Sequence, residues 1–269
     1  MDFFLKYNNN FILIFNKIIY RLSGNIRINR FLFKTGLKKR YTFHHKKKAF
    51  NSYFKNVSNK EVKDSLLNKI SAVDARILLK FCAFTKIKKL KIADWGGGVG
   101  NNLIFLSKIK YKFADLYEKK KIVSIVNNNK FLKKKFEDLK INFKNSHNVF
   151  NFKEYDLILF FGSFTYLDNA YNILNNNMLP KYIGISRLPL IINSNDEPLM
   201  VDEHKGTHIE KLFSKRKFLY EIKKNYKILY IKECVKRFNK TWNGSLPKSK
   251  SKIFNYKLKS YNIFLKKII

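Results

Sequence analysis

The sequence predicts an α/β protein with a doubly wound, mostly parallel, seven-stranded sheet. Short apolar runs alternate along the chain with segments of helical periodicity, and this alternation is typical of parallel strands joined by crossover helices. The last two runs have no helical pattern between them, which predicts an antiparallel pair at the C-terminal edge of the sheet. The predicted strands cover residues 90–95, 112–118, 140–145, 155–164, 181–188, 226–235 and 261–267.

Three helical segments matter for the organisation of the chain. A capping box at Ser58 and Glu61 predicts one long helix over residues 58–84, and apolar spacing predicts helices over 101–109 and 209–225. Residues 11–22 also show helical apolar spacing, followed by basic residues, so we expect a helical N-terminal extension. It either packs on the main domain or lies in a membrane surface. The predicted division is an extension over 1–57 and a domain over 58–269.

Composition limits the classes of function. The hydrophobic content of 45% excludes a disordered chain, and no apolar run reaches the length of about 18 residues that would span a bilayer. The formal charge of +37 predicts weak, salt-dependent binding to polyanions. Because the lysines are spread along the chain, a solvated surface explains them better than a dedicated groove. The two cysteines lack metal-ligand spacing, so we expect no metal.

A glycine cluster follows the first predicted strand. The chain has ten glycines, and four of them fall within residues 96–100, in the pattern Asp94-x-Gly96-x-Gly98-x-Gly100 with Gly97 as an extra glycine. Glycines at this place permit a sharp turn and let a ligand approach the backbone. The pattern is neither G-x-G-x-x-G, because Asn101 stands at the third place after Gly98, nor a P-loop.

An acidic residue completes the pattern. Glu118 lies at the end of the second predicted strand, where a carboxylate can accept hydrogen bonds from the hydroxyls of a ribose. Acidic residues are scarce, with 19 against 56 lysines and arginines, so a carboxylate at this position is more informative than usual. The loop and the carboxylate together predict a nucleoside-binding site.

These residues resemble the nucleoside-binding motif of class I S-adenosylmethionine-dependent methyltransferases, which have a Rossmann-like fold. A closer resemblance, over most of the chain after Ser58, is to a bacterial family of methyltransferases often associated with cell-surface polysaccharide genes. The segments that carry it are ADWGGGVGNN (93–102), YDLILFFGSFTYLDNAYNIL (155–174), YIGISRLPLIINS (182–194) and HKGTHIEKLFSKRKFLYEI (204–222).

The resemblance implies S-adenosylmethionine as the cofactor and assigns residues to it. The glycine turn would wrap the methionine and ribose portions, Glu118 would hold the ribose hydroxyls, and the residues after the fourth strand would line the pocket near the sulfonium. The sequence departs from the superfamily after the third strand, where Asn145 or Ser146 would have to replace the usual aspartate near the adenine. The implied cofactor-binding residues are Asp94, Gly96, Gly97, Gly98, Gly100, Glu118, Phe161, Gly162 and Ser163.

Four further residues are candidates for binding the methyl acceptor or for activating it. His204 and His208 follow the fifth strand and are candidate general bases, although each is also an ordinary loop residue. Tyr166 could position the acceptor or pack on the following helix. Arg187 could bind an acidic sugar or a phosphate, or donate to loop carbonyls.

The predicted function is methyl transfer to a small-molecule or glycan acceptor, in cell-surface polysaccharide biosynthesis. We expect a cytoplasmic location, with peripheral contact to the inner membrane surface if the N-terminal helix lies in it. The net charge leaves an RNA methyltransferase or RNA-binding protein as an alternative, but no aromatic-basic RNA-binding module is present. A nonenzymatic nucleotide-binding protein of the same architecture is the third alternative, because a cofactor loop does not prove turnover.

Overall fold

The computed structural model of the protein describes residues 41–44, 70–98, 100–107, 113–118, 123, 126–145, 151–167, 169–175, 178–202, 208–234 and 257–268. In chain order the strands are β1 (Tyr41–His44), β2 (Lys91–Trp95), β3 (Phe113–Glu118), β4 (Ile141–Asn145), β5 (Leu157–Phe161), β6 (Tyr182–Ile191), β7 (Leu199–Asp202), β8 (His208–Lys211), β9 (Phe213–Ser214), β10 (Tyr226–Glu233) and β11 (Leu258–Lys267). The helices are α1 (Ala72–Thr85), α2 (Asn101–Ser107), α3 (Lys130–Asp138), α4 (Ala170–Asn175) and α5 (Lys215–Lys223), with a short 3-10 helix at Phe164–Tyr166.

The described residues belong to two compact units. One contains β1, β7 and most of β8, which form a small sheet in the order β1-β7-β8, and the other contains the remaining elements. The predicted boundary at residues 57 and 58 and the predicted helix over 11–22 lie outside the described residues. In the part of the chain that the structure covers, none of the helices has the length and apolar character needed to span a bilayer.

The larger unit is a mixed α/β fold with a mostly parallel sheet, as predicted. Its strand order is β10-β11-β6-β5-β2-β3-β4, and the two-residue strand β9 also pairs with β6. Strands β6, β5, β2, β3 and β4 run parallel to one another. Strand β11 is antiparallel to both β6 and β10. The antiparallel pairing of the last two strands is therefore confirmed. The pair lies at the edge of the sheet, with β10 outermost and β11 between β6 and β10.

Both faces of this sheet are buried at its centre. Strand β5 shows why, because successive side chains of a strand point to opposite faces and all five of its residues are apolar and buried. Leu157, Leu159 and Phe161 belong to one apolar cluster together with side chains of α1, α2 and α3. Ile158 and Phe160 belong to a second cluster with side chains of α4 and α5. The continuous apolar run of β5 is thus the signature of a strand between two layers of helices.

Two helix boundaries differ from the prediction. The helix expected over 58–84 does not include residues 70 and 71, because α1 begins at Ala72 after an extended Ser71 whose hydroxyl oxygen accepts the backbone N–H of Asp74 at 3.1 Å. The predicted start at Ser58 lies outside the described residues. The helix expected over 209–225 begins at Lys215, because residues 208–211 and 213–214 are paired as strands.

Helix α3 was not predicted. Its nine residues are mostly charged, and its buried face consists of Leu132 and Phe136, which lie four residues apart as expected on one side of a helix.

A buried polar cluster joins β3, β4 and the segment before β5. The carboxylate of Asp115 accepts hydrogen bonds from Asn142 Nδ2 and Lys144 Nζ, each at 2.7 Å, and from the hydroxyl of Tyr155. The hydroxyl of Tyr155 also lies against that of Tyr117. Burial alone would raise the pKa of Asp115, but the hydrogen bonds from Lys144, Tyr155 and Asn142 and the charge of Lys144 lower it below its usual value. Asp115 is therefore ionised in the folded protein.

We expect Asp115→Asn to lower the free energy of unfolding by about 1–3 kcal/mol at neutral pH, because three donors lose a charged acceptor. A lowered pKa in the folded state stabilises the protein above the pKa of the unfolded state, and this contribution is lost as the pH falls through the folded value. Urea unfolding from pH 7 down to about 3 should therefore show the difference between wild type and variant shrinking toward acid. Asp138→Asn, which alters an exposed carboxylate on α3, is the control. An equal loss in both variants would contradict the role given to the cluster.

Candidate functional site

The sequence-predicted residues meet where the parallel strands β2, β3 and β5 end. Strand β2 lies between β3 and β5, so the turn that follows it borders the last residues of both neighbours. In open α/β sheets this edge is where ligands bind. The glycine turn, Glu118 and residues 161–163 are all placed here by the strands that precede them.

Gly96 and Gly97 have no room for a side chain. The backbone of Gly96 has φ 71°, and a Cβ built on it would lie 2.6 Å from the Cβ of Ser163. Its N–H donates to the carbonyl of Tyr117 at 2.9 Å, which ties the turn to the end of β3. A Cβ on Gly97 would lie 2.2 Å from Oδ2 of Asp94. Both glycines therefore permit a close approach between parts of the protein itself.

Gly98 differs from them. Its φ is 63°, which favours glycine, yet no described heavy atom lies within 4 Å of the position that a Cβ would occupy. Gly100, with φ 79°, continues the turn into α2, and its carbonyl accepts the N–H of Ile104 at 3.0 Å. The open space in this turn is thus over Gly98, where a ligand could approach the main chain.

Asp94 lies beneath the turn. It is fully buried, and its Oδ2 accepts a hydrogen bond from Nδ2 of Asn102 at 3.1 Å. Together with its approach to Gly97, this contact joins the end of β2 to the first turn of α2. The contribution of Asp94 seen in the structure is to the shape of the loop, and its contact with a cofactor stays a prediction. Asn102, the second residue after the motif, was not predicted as a site residue.

The residues after β5 support the same turn. Ser163 is 2% exposed, and its hydroxyl donates to the carbonyl of Trp95. The side chain of Phe161 is buried in the cluster that contains α1, so this residue presents mainly its backbone to the edge. Gly162 has φ 75°, and its N–H donates to the carbonyl of Ser186 on β6 at 3.0 Å. Residues 161–163 therefore connect the glycine turn to β6.

Arg187 lies next to Gly162. A Cβ on Gly162 would be 3.3 Å from Nη2 of Arg187, and that nitrogen donates to the carbonyl of Phe161 at 3.2 Å. The guanidinium carbon lies 5.6 Å from the centre of the Phe161 ring. A hydrogen bond from Arg187 to a loop carbonyl, one of the two roles expected from the sequence, is thus present.

The remaining candidates are placed less closely together. Tyr166 ends the 3-10 helix, half-buried, and its N–H donates to the carbonyl of Ser163 at 3.0 Å. Glu118 ends β3 one residue after Tyr117, and its side chain is outside the description. His208 is the first residue of β8 in the smaller unit, with an undescribed side chain, and His204 lies outside the described residues. Both histidines stay predictions.

The turn has further features that suit a bound nucleoside cofactor. Besides the open space at Gly98, Nε1 of Trp95 and Oδ1 of Asn101 are buried without a hydrogen-bond partner in the described structure. They belong to the residues on either side of the turn and are a donor and an acceptor that a polar ligand could satisfy. The described residues contain no group of three or more His, Cys, Asp or Glu side chains that could hold a metal ion.

Solved structures share this fold at low sequence identity. The [4+2]-cyclase SpnF matches with a TM-score of 0.52 and 9% identity, over 75% of this chain and 85% of that chain. The N-terminal domain of EvdMO1, solved in the presence of S-adenosylhomocysteine and D-fucose, matches with a TM-score of 0.52 and 9% identity, over 74% of this chain and 85% of that chain. A second structure of the same domain, with S-adenosylhomocysteine bound, gives a TM-score of 0.51 at 9% identity, over 81% and 92% of the two chains.

No protein-family model matches the sequence, and no curated protein is significantly similar to it. The structural matches therefore show the fold alone. The mixed α/β unit and its mostly parallel sheet are consistent with a Rossmann-like fold.

We expect alanine substitutions at the three glycines to destabilise the protein to different extents. We expect Gly96→Ala and Gly97→Ala to lower the free energy of unfolding by about 2–4 kcal/mol, because each new methyl group overlaps buried atoms. Gly98→Ala should cost only about 1–2 kcal/mol, the strain of a left-handed residue, because its methyl group enters open space. Denaturant unfolding of the three variants measures the order. A Gly98→Ala variant at least as unstable as the other two would contradict the open space described here.

Proposed function

We propose that the protein is an S-adenosylmethionine-dependent methyltransferase that transfers a methyl group to a small-molecule or glycan acceptor. The observation that carries the proposal is the turn after β2, which leaves space at the Cβ position of Gly98, at the edge where ligands bind in such sheets. A domain of the same fold has been solved with S-adenosylhomocysteine bound, which supports the choice of cofactor.

The chain's own residues divide between shaping the site and holding the cofactor. In this proposal Asp94, Gly96, Gly97 and Ser163 fix the turn, because their contacts lie within the protein. Backbone at Gly98 and Gly100 faces the cofactor, Glu118 accepts hydrogen bonds from its ribose, and Phe161 and Gly162 border its sulfonium end. When bound, S-adenosylmethionine supplies an activated methyl group. The protein then has to align the acceptor with that group and exclude water.

The proposal also assigns residues to the methyl acceptor. Tyr166 and Arg187 lie on the β5 and β6 side of the glycine turn, where an acceptor has to reach the methyl group. His204 and His208 are proposed as bases from the sequence alone. A glycan acceptor, as in cell-surface polysaccharide biosynthesis, follows from the sequence resemblance. The matched EvdMO1 domain was solved in the presence of D-fucose, so a sugar has been studied with a domain of this fold.

The alternatives differ in what they predict for the same site. One matched structure is described as a [4+2]-cyclase, so the fold by itself does not fix the reaction. The only observation that favours RNA methylation is the net charge of +37. This function would require retention on a polyanion column that persists at moderate salt. A cytoplasmic location, with peripheral membrane contact through residues 11–22, is proposed from the sequence.

Calorimetric titration with S-adenosylmethionine and S-adenosylhomocysteine tests the proposal, in salt sufficient to suppress contamination by polyanions. We expect wild type to bind both in the micromolar range, Glu118→Ala to weaken binding about tenfold or more through lost ribose hydrogen bonds, and Gly98→Val to abolish it. Glu137→Ala, which removes an exposed carboxylate from α3, should bind like wild type.

The variants are informative only while folded, so circular dichroism and thermal unfolding accompany each titration. Loss of binding by folded Gly98→Val would support a ligand over this glycine. Folded wild type that binds neither compound would overturn the methyltransferase proposal and leave the glycine turn as a structural feature.

A further inference from the structure

Arg187 has an unusual backbone conformation for its place in the fold. Its φ is 60°, in the left-handed region, although it lies within strand β6. The other two described non-glycine residues with positive φ, Lys86 and Lys140, lie one and two residues after the ends of helices, where this conformation is common. Strained residues that a structure maintains occur preferentially at functional sites. We therefore asked what holds Arg187 in this conformation and where its side chain points as a result.

The cause is a bulge against β11. Leu188 pairs with Tyr261 and Ile185 pairs with Ile263, so Ser186 and Arg187 together face the single residue Asn262. Asn262 is 7% exposed, and its Oδ1 accepts both the hydroxyl of Ser186 at 2.8 Å and the N–H of Arg187 at 3.1 Å. One buried side-chain oxygen thus satisfies the two donors that the bulge presents.

The consequence is the direction of the Arg187 side chain. Its guanidinium reaches across to the end of β5, donates to the carbonyl of Phe161 and lies against Gly162, whose lack of a side chain leaves the space. These are the residues that border the sulfonium end of the cofactor in the function proposed above. A guanidinium is charged at every accessible pH and is suited to planar recognition of carboxylates and phosphates.

The thiol of Cys234 lies close to Arg187. Burial raises the pKa of the Cys234 thiol to about 11, against the opposing backbone N–H and charge of Arg187, so the thiol is neutral near pH 7. Asp74, whose charge also acts on this thiol, has its Oδ2 bonded to the hydroxyl of Ser71 at 2.7 Å, at the start of α1.

We propose that Arg187, held in place by Asn262, binds an anionic group of the methyl acceptor, so that the substrate class is a carboxylate- or phosphate-bearing molecule. The inference rests on the proposed function, because it takes residues 161 and 162 as the donor end of the site. An arginine next to a cationic donor would oppose donor binding, and an anionic acceptor compensates that repulsion. Asn262 acts through Arg187 and is a positioning residue.

The test uses full-length protein saturated with S-adenosylhomocysteine, whose own binding is measured first. Inorganic phosphate and acetate are then titrated separately, at moderate salt, to distinguish a phosphate site from a carboxylate site. We expect one saturable site for at least one of these anions. Arg187→Gln should weaken it about fivefold or more, whereas Arg187→Lys, which keeps the charge, should weaken it only about two- to threefold.

Two further variants separate positioning from general effects. Asn262→Leu removes the shared acceptor and should weaken anion binding about two- to fivefold with little change in S-adenosylhomocysteine affinity, a split that a general loss of structure would not produce. Lys223→Gln removes an exposed charge from the last turn of α5 and should leave anion binding unchanged.

The results of this test can be distinguished from those of the calorimetric titration that tests the proposed function. If S-adenosylhomocysteine binds but Arg187→Gln binds the anions as wild type does, or wild type shows no saturable anion site, the anion inference is wrong and the cofactor proposal stands. If S-adenosylhomocysteine does not bind to folded wild type, the cofactor proposal fails, and with it the basis of this inference.

Discussion

The candidate site depends on a close approach of backbone segments at Gly96 and Gly97. At these two positions the chain has no space for even a methyl group, because Ser163 from the β5 side and the carboxylate of Asp94 occupy it. The approach brings the end of β2, the start of α2 and the segment after β5 into one compact turn. A larger side chain at either position would have to push these elements apart, and the backbone at Gly98 would then lose its position.

The glycines of the motif look alike in the sequence but have different roles in the structure. Two of them accommodate the protein itself, whereas Gly98 faces open space and is the one whose backbone a ligand could reach. The same division applies to the polar residues. Asp94 and Ser163 are buried and bonded to Asn102 and to the carbonyl of Trp95, so their visible role is to hold the turn. Residues that shape a binding loop and residues that contact its ligand can therefore share one short pattern.

Several residues at the same edge of the sheet have a left-handed backbone conformation. Gly96, Gly98, Gly100 and Gly162 all have positive φ, and Arg187 adopts it level with the end of β5. Glycine adopts this conformation at little steric cost, but an arginine has to be held in it. The buried amide of Asn262 does so from β11, while the regular pairing of β2, β3 and β5 provides a rigid base. The sheet thus supplies the rigidity, and its carboxyl edge carries the irregular conformations.

The sequence by itself determined the seven strands β2 to β6, β10 and β11, their mostly parallel arrangement and the position of the glycine turn, because periodicity and glycine clusters are properties of neighbouring residues. It also placed Glu118 and residues 161–163 at strand ends. It did not determine β1, β7, β8 or β9. Helix α3 was not predicted, although Leu132 and Phe136 have helical spacing, and the start of α1 at Ala72 was missed because the apolar pattern continues through Ser71. Only the tertiary structure placed β11 between β6 and β10, brought Ser163 against Gly96 and set Asn262 beneath Arg187. These contacts join residues 67 and 75 positions apart, as the 163/96 and 262/187 pairs show. Their partners are decided by strand order and register, which no local pattern encodes.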